Sequence, residues 1–138
     1  MQPNSPTPTQ KRVAILLRTA DRDFETAESL VLHSPHLYES VGFSCQQAVE
    51  KYAKAVLIAN NLPAPFIHVL VVLLQPLVQA AFITIDATEM GSAAVLQDFA
   101  VEWRYDTDDA PSYTSIDLMA MAQQFRNKLR PLALAFLT

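Results

Sequence analysis

Gln46-Gln47-Ala48-Val49-Glu50-Lys51 lies at the centre of the stretch on which the fold turns. Around it, Val41, Cys45, Ala48, Val49, Tyr52, Val56 and Ala59 recur at intervals of three and four. Such spacing places them on one face of a helix running from roughly Leu37 to Asn60. Gly42 and the alanines on that face admit a close neighbouring backbone. Asn60-Asn61-Leu62-Pro63 ends the helix, because Asn tolerates the left-handed cap and Pro cannot continue it.

Working outward, Thr7-Pro8-Thr9-Gln10 opens an earlier helix, with Thr7 as cap, Pro8 at the first position and Gln10 closing a capping box. Its apolar face is Val13, Leu16, Leu17, Ala20, Phe24, Ala27 and Val31. Arg18, Asp21, Arg22, Glu25 and Glu28 form solvated charge rows. After the stiff connector Pro63-Ala64-Pro65, a third helix begins near Phe66-Ile67-His68 and carries Leu70, Leu73, Leu74 and Leu77, with a kink or break at Pro76. Thr88 with Glu89 leads into a fourth helix reaching about Arg104. An acidic loop from Tyr105 to Ser112 follows. The last helix starts near Thr114, where Asp117 caps the first turn. Its apolar face is Ile116, Leu118, Met119, Ala122, Phe125, Leu129 and Leu132, and Pro131 bends or ends it. With no strand-period alternation and no internal repeat, the expectation is an all-α, four- to five-helix up-and-down bundle. Residues 1–6 read as a disordered lead and 7–138 as one domain.

Composition narrows the function classes. Hydrophobic residues make up 51% of the 138 and charged residues 17%, so the chain is either tightly packed or keeps an apolar face for a partner. Only 2 glycines argue against tight hairpins and dinucleotide-binding loops. The net charge of −4 has the wrong sign for a non-specific DNA binder. A single cysteine, Cys45, excludes an internal disulfide and a cysteine-based zinc site, and fits a reducing cytoplasm. No signal peptide is legible, and Val69 to Phe82 falls short of the ~20 apolar residues of a membrane span.

The segments Ala20-Asp21-Arg22-Asp23-Phe24 through Ala27 and Phe43-Ser44-Cys45-Gln46-Gln47-Ala48-Val49-Glu50-Lys51-Tyr52-Ala53-Lys54-Ala55 resemble the HEPN domain. Phe66-Ile67-His68-Val69-Leu70 with Leu73-Leu74, then Trp103-Arg104-Tyr105 and the closing amphipathic helix, fit the same pattern in order. The resemblance spans about Ala14 to Leu132. It implies a four-helix up-down bundle, usually a homodimer, often paired with a minimal nucleotidyltransferase in toxin–antitoxin modules. Many HEPN proteins are metal-independent ribonucleases with Arg-x4-6-His on the last helix. Here no histidine follows His68, so neither Arg104 nor Arg126 completes that motif, which argues against the ribonuclease reading.

Among individual residues, Glu50 and Lys54 have the favourable spacing and order for a helical ion pair. Lys51 and Lys54 are candidate phosphate contacts, with Gln47 offering an amide to a base. The plainer reading is that this row solvates the helix or bridges helices. His68 either packs locally or serves as acid or base at neutral pH. Arg104 and Tyr105 are a further candidate ligand contact, or Arg104 pairs with the acidic loop. His33 and His36 make a poor zinc signal. Arg126, Lys128 and Arg130 read as complementing the negative end of the last helix dipole. The leading expectation is a nucleotide- or RNA-associated binding module without metal or cofactor. The alternatives are a ribonuclease using His68 and Arg104, or a purely structural dimerisation partner.

Overall fold

A computed structural model describes residues 5–100 and 113–138. The described residues form five helices: α1 (Pro8–His33), α2 (Tyr38–Ala59), α3 (Leu70–Gln79), α4 (Ala87–Gln97) and α5 (Ser115–Leu137), with no strand among them. Each of three helices is opened by a reciprocal capping box that satisfies first-turn amides. Thr7 pairs with Gln10 at α1, Asp86 with Glu89 at α4, and Thr114 with Asp117 at α5. The α4 box therefore starts two residues before Thr88, the residue expected to open it.

Tertiary contacts fix the directions of the helices. The Ser115 hydroxyl, at the start of α5, donates to Pro35 O in the α1–α2 turn. Further along, Arg126 reaches Tyr52 of α2 and Arg130 reaches Asp21 of α1. Thus α5 runs with α2 and against α1. At the far end, Lys128 of α5 meets Glu89 in the first turn of α4, while Phe99 after α4 returns to Gly42 near the start of α2. So α1, α2, α4 and α5 alternate in direction as a four-helix bundle. The short α3 is an addition that runs with α2, because the 60–69 connector first climbs back along α2 to bring His68 level with Gln46 and Glu50. That return spans about 15 Å of helix at 1.5 Å per residue.

Central α2 packs against all four other helices. Its stripe is buried as expected apart from Ala59, which is partly exposed, and Ala53, Ala55 and Leu57 on other sides are also fully covered. Facing it are Val13, Leu17, Ala20, Phe24 and Ala27 of α1 and Leu118, Ala122, Phe125 and Leu129 of α5.

Five expectations about elements change. The third helix begins at Leu70 rather than near Phe66, because bonds from Ile67 N to Pro65 O and from Gln46 to His68 O hold this segment outside helical geometry. It also does not break at Pro76 but continues to Gln79 as one element. Similarly, of the two expectations for Pro131, the ending is overturned: α5 continues past it to Leu137. Helix α4 stops at Gln97 rather than near Arg104; successive i to i+3 bonds then turn the chain so that Phe99 enters the core. Finally, Ile116 is 68% exposed, and the neighbouring Ser115 is the buried residue.

Candidate functional site

Gln46, Glu50 and Lys54 stand one turn apart along α2 and meet His68 from the connector. The His68 Nδ1 lies 2.7 Å from Glu50 Oε1, and the Lys54 ammonium donates to Glu50 Oε2 at 3.1 Å. The Gln46 amide donates to Glu50 Oε1 at 3.0 Å and to His68 O at 3.1 Å, while its own oxygen accepts from Gln47 Nε2 at 2.6 Å. Gln46 is fully buried and Glu50 nearly so, whereas the His68 side chain is 63% exposed. Burial raises the Glu50 carboxyl, but hydrogen bonds from His68, Gln46 and Lys54 outweigh it and hold the group below its usual range. The result is an ionised carboxylate under a solvent-facing imidazole whose Nε2 has no partner among the described residues. A carboxylate fixing one ring nitrogen while the other faces solvent is an arrangement able to bind a ligand or move a proton.

Lys51 belongs to a different side of α2. Its ammonium pairs with Asp23 of α1 at 2.5 Å. Of the residues singled out in the sequence, the structure therefore brings Gln47, Lys54 and His68 together and sends Lys51 toward α1. Arg104 and Tyr105 lie outside the described residues. Both lysines already have carboxylate partners, so neither is an unengaged phosphate contact. The pairing of His68 with Glu50, rather than local capping, is the part that needed tertiary information.

A second polar cluster was not foreseen. Asp21 accepts from the Tyr52 hydroxyl at 2.5 Å and from Arg130 Nε and Nη2 at 2.9 and 3.0 Å. The Arg126 Nε donates to the Tyr52 oxygen at 3.1 Å, and its guanidinium lies 4.7 Å over the Phe24 ring. Burial raises the Asp21 carboxyl, but the Arg130 and Tyr52 hydrogen bonds and the two arginine charges bring it below its usual range. Asp21 is thus no member of a solvated row. Nor do the basic residues serve the helix dipole. Arg130 stands seven residues before Leu137, beyond the last turn where that field acts, and Lys128 is held by Glu89 and the Thr84 carbonyl. The legible signal was Tyr52 itself, since a tyrosine within an apolar stripe needs a partner for its hydroxyl.

An open depression of about 320 Å³ lies apart from both clusters, lined by Phe82, Ile83, Thr84, Lys128 and Leu132. Its one cation is the engaged Lys128, so it is a weaker candidate than the His68 region. Among the described residues, no helix is long and apolar enough to cross a membrane.

Compared with known families, a sequence model of the HEPN domain matches residues 13–130. The chain belongs to the HEPN domain family. This HEPN domain falls in a family generally concerned with nucleotides or RNA, whose members commonly dimerise. No curated protein and no solved structure matches the chain.

Proposed function

We propose that this HEPN domain is a nucleotide- or RNA-associated binding module, with its contact face where the connector crosses α2. The observation that carries this reading is the exposed His68 imidazole, held by the buried Glu50 carboxylate beside Lys54 and Gln47. A preoriented ring whose second nitrogen has no partner among the described residues suits a phosphate oxygen or a base edge without much ordering cost. Lys51, on the α1 side of α2 and paired with Asp23, reaches a ligand at this face only by leaving that carboxylate. Arg104 and Tyr105 are assigned to it by the family resemblance alone.

The test is titration of the protein with ATP and with a short single-stranded RNA. His68→Ala and Lys54→Ala should each weaken binding several-fold, and Lys51→Ala less, with circular dichroism unchanged. Identical curves for all four proteins would remove this face from consideration.

The Glu50–His68 geometry also favours a second reading, a metal-independent ribonuclease in which His68 exchanges a proton with the ribose hydroxyl. Incubation with total RNA decides it: cleavage by wild type that disappears in both His68→Ala and Glu50→Gln supports the activity, and equal traces reject it.

We further infer a cytoplasmic homodimer that works with a separately encoded minimal nucleotidyltransferase, in the manner of toxin–antitoxin modules. Exposed Leu32, Leu37, Tyr113 and Ile116 near the α1–α2 turn supply apolar surface for such contacts. Sedimentation of wild type and Ile116→Lys is the check, with a shift toward monomer expected in the variant.

A further inference from the structure

Phe66 is 97% exposed, yet the backbone on both sides of it is held. Pro63 and Pro65 restrict the backbone before it. The Ile67 amide donates to Pro65 O at 2.8 Å, which closes a three-residue turn with Phe66 at its centre. Two residues on, His68 is pinned twice, through its carbonyl by Gln46 and through its ring by Glu50. Leu62, Ala64 and Ile67 pack against the core, so within the connector the aromatic ring alone among the large apolar side chains is turned fully outward.

A mobile aromatic would lose freedom on meeting a ligand. This one has its backbone ordered beforehand, so less entropy is lost when a flat partner covers it. A flat partner also needs no enclosing pocket. The neighbouring exposed group is itself planar, the imidazole of His68, with the Gln47 amide and Lys54 ammonium close to that ring's anchor. Single-stranded nucleic acid is held where bases stack on aromatic faces while cationic and polar groups track its backbone and edges. Here Phe66 offers the face, and Gln47 and the Glu50-paired Lys54 the polar neighbours.

We propose that Phe66 is a stacking platform for an unpaired nucleobase, next to the His68 contact face. This rests on the nucleotide- or RNA-binding reading above and names the part of the ligand that this face holds. It predicts preference for base-bearing single strands over the same backbone without bases, with little dependence on which base is present.

The full chain is titrated, by fluorescence anisotropy, with a short oligoadenylate and with an abasic ribose-phosphate strand of equal length. Wild type should bind the oligoadenylate more tightly. Phe66→Leu keeps an apolar side chain but removes the π-face, and should weaken that binding about tenfold while leaving the abasic strand unaffected. Phe66→Trp should restore or improve it. Because Phe66 is solvent-exposed, both variants are expected to fold as wild type. If wild type binds neither strand, the binding reading itself fails and the platform with it. If wild type binds but Phe66→Leu is unchanged, only the platform is overturned. The platform is equally overturned if Phe66→Leu alters sedimentation and not RNA binding, since the ring would then serve a protein contact.

Discussion

Tyr52 joins two kinds of interaction in one side chain. Its ring lies in the core between α1 and α5, and its hydroxyl links Asp21 of α1 to Arg126 of α5. Tyr52→Phe keeps the packing and deletes the link, so it should cost about 1–2 kcal/mol, read from urea unfolding. Burial, and then the bond to Asp21, raise the phenol above its ordinary value of 10.0. A raised folded-state value means that the stabilisation is complete below the unfolded value and is lost as pH rises through the folded one. Wild type should therefore lose stability in strong alkali by a component that Tyr52→Phe lacks. Cys45 illustrates the other fate of a buried polar atom. Burial pushes its thiol up to about 12, so at neutral pH a thiol reagent should modify it only as fast as the bundle opens.

At the level of elements, the stop of α4 and the seat of α2 meet at one glycine. A Cβ at Gly42 would lie 2.3 Å from Phe99 Cδ1 and 2.6 Å from its Cγ. Those atoms belong to the near end of the ring, which itself packs edge-on against Tyr38 at 6.2 Å. Gly42→Ala should then destabilise the fold by about 1–3 kcal/mol through overpacking. Adding Phe99→Leu should recover part of that loss, and a double-mutant cycle with no coupling would contradict the contact. Gln46 plays the matching role for the connector. Gln46→Leu removes the amide that holds the His68 carbonyl, so amides 66–69 should exchange faster with deuterium while α1 and α5 stay protected.

At the scale of the molecule, Asp21 and Glu50 stand out among the carboxylates that tie elements together. Asp21 links α1 to α2 and α5, and Glu50 links α2 to the connector before α3. Both are held below their ordinary values of 3.8 and 4.5. A depressed folded-state value contributes stability that is present above the unfolded value and lost as pH falls through the folded one. Thermal unfolding midpoints should accordingly fall below about pH 4.5, and the fall should be shallower in Glu50→Gln than in wild type. Equal slopes for the two proteins would show that the Glu50 anchor contributes nothing to acid sensitivity.

How far the sequence reached follows from the range of the forces involved. Helix propensity, capping and apolar periodicity act within a few residues. For that reason the Thr7–Gln10 and Thr114–Asp117 boxes, the α2 stripe and the family membership were all legible. The Glu50–Lys54 pair was legible for the same reason. The burial of Gln46 and Glu50 was not, because a helical wheel marks one apolar face and α2 is covered on nearly every side once α3 and the connector dock. Likewise the Asp21–Tyr52–Arg130 cluster joins residues up to 109 positions apart, and only the packing of α1, α2 and α5 sets their distances. The Gln46–Lys51 stretch thus marked the central helix, and the apolar faces of the other helices completed the bundle. Whether its polar residues face water, each other or a histidine was decided by the chain that returned to cover them.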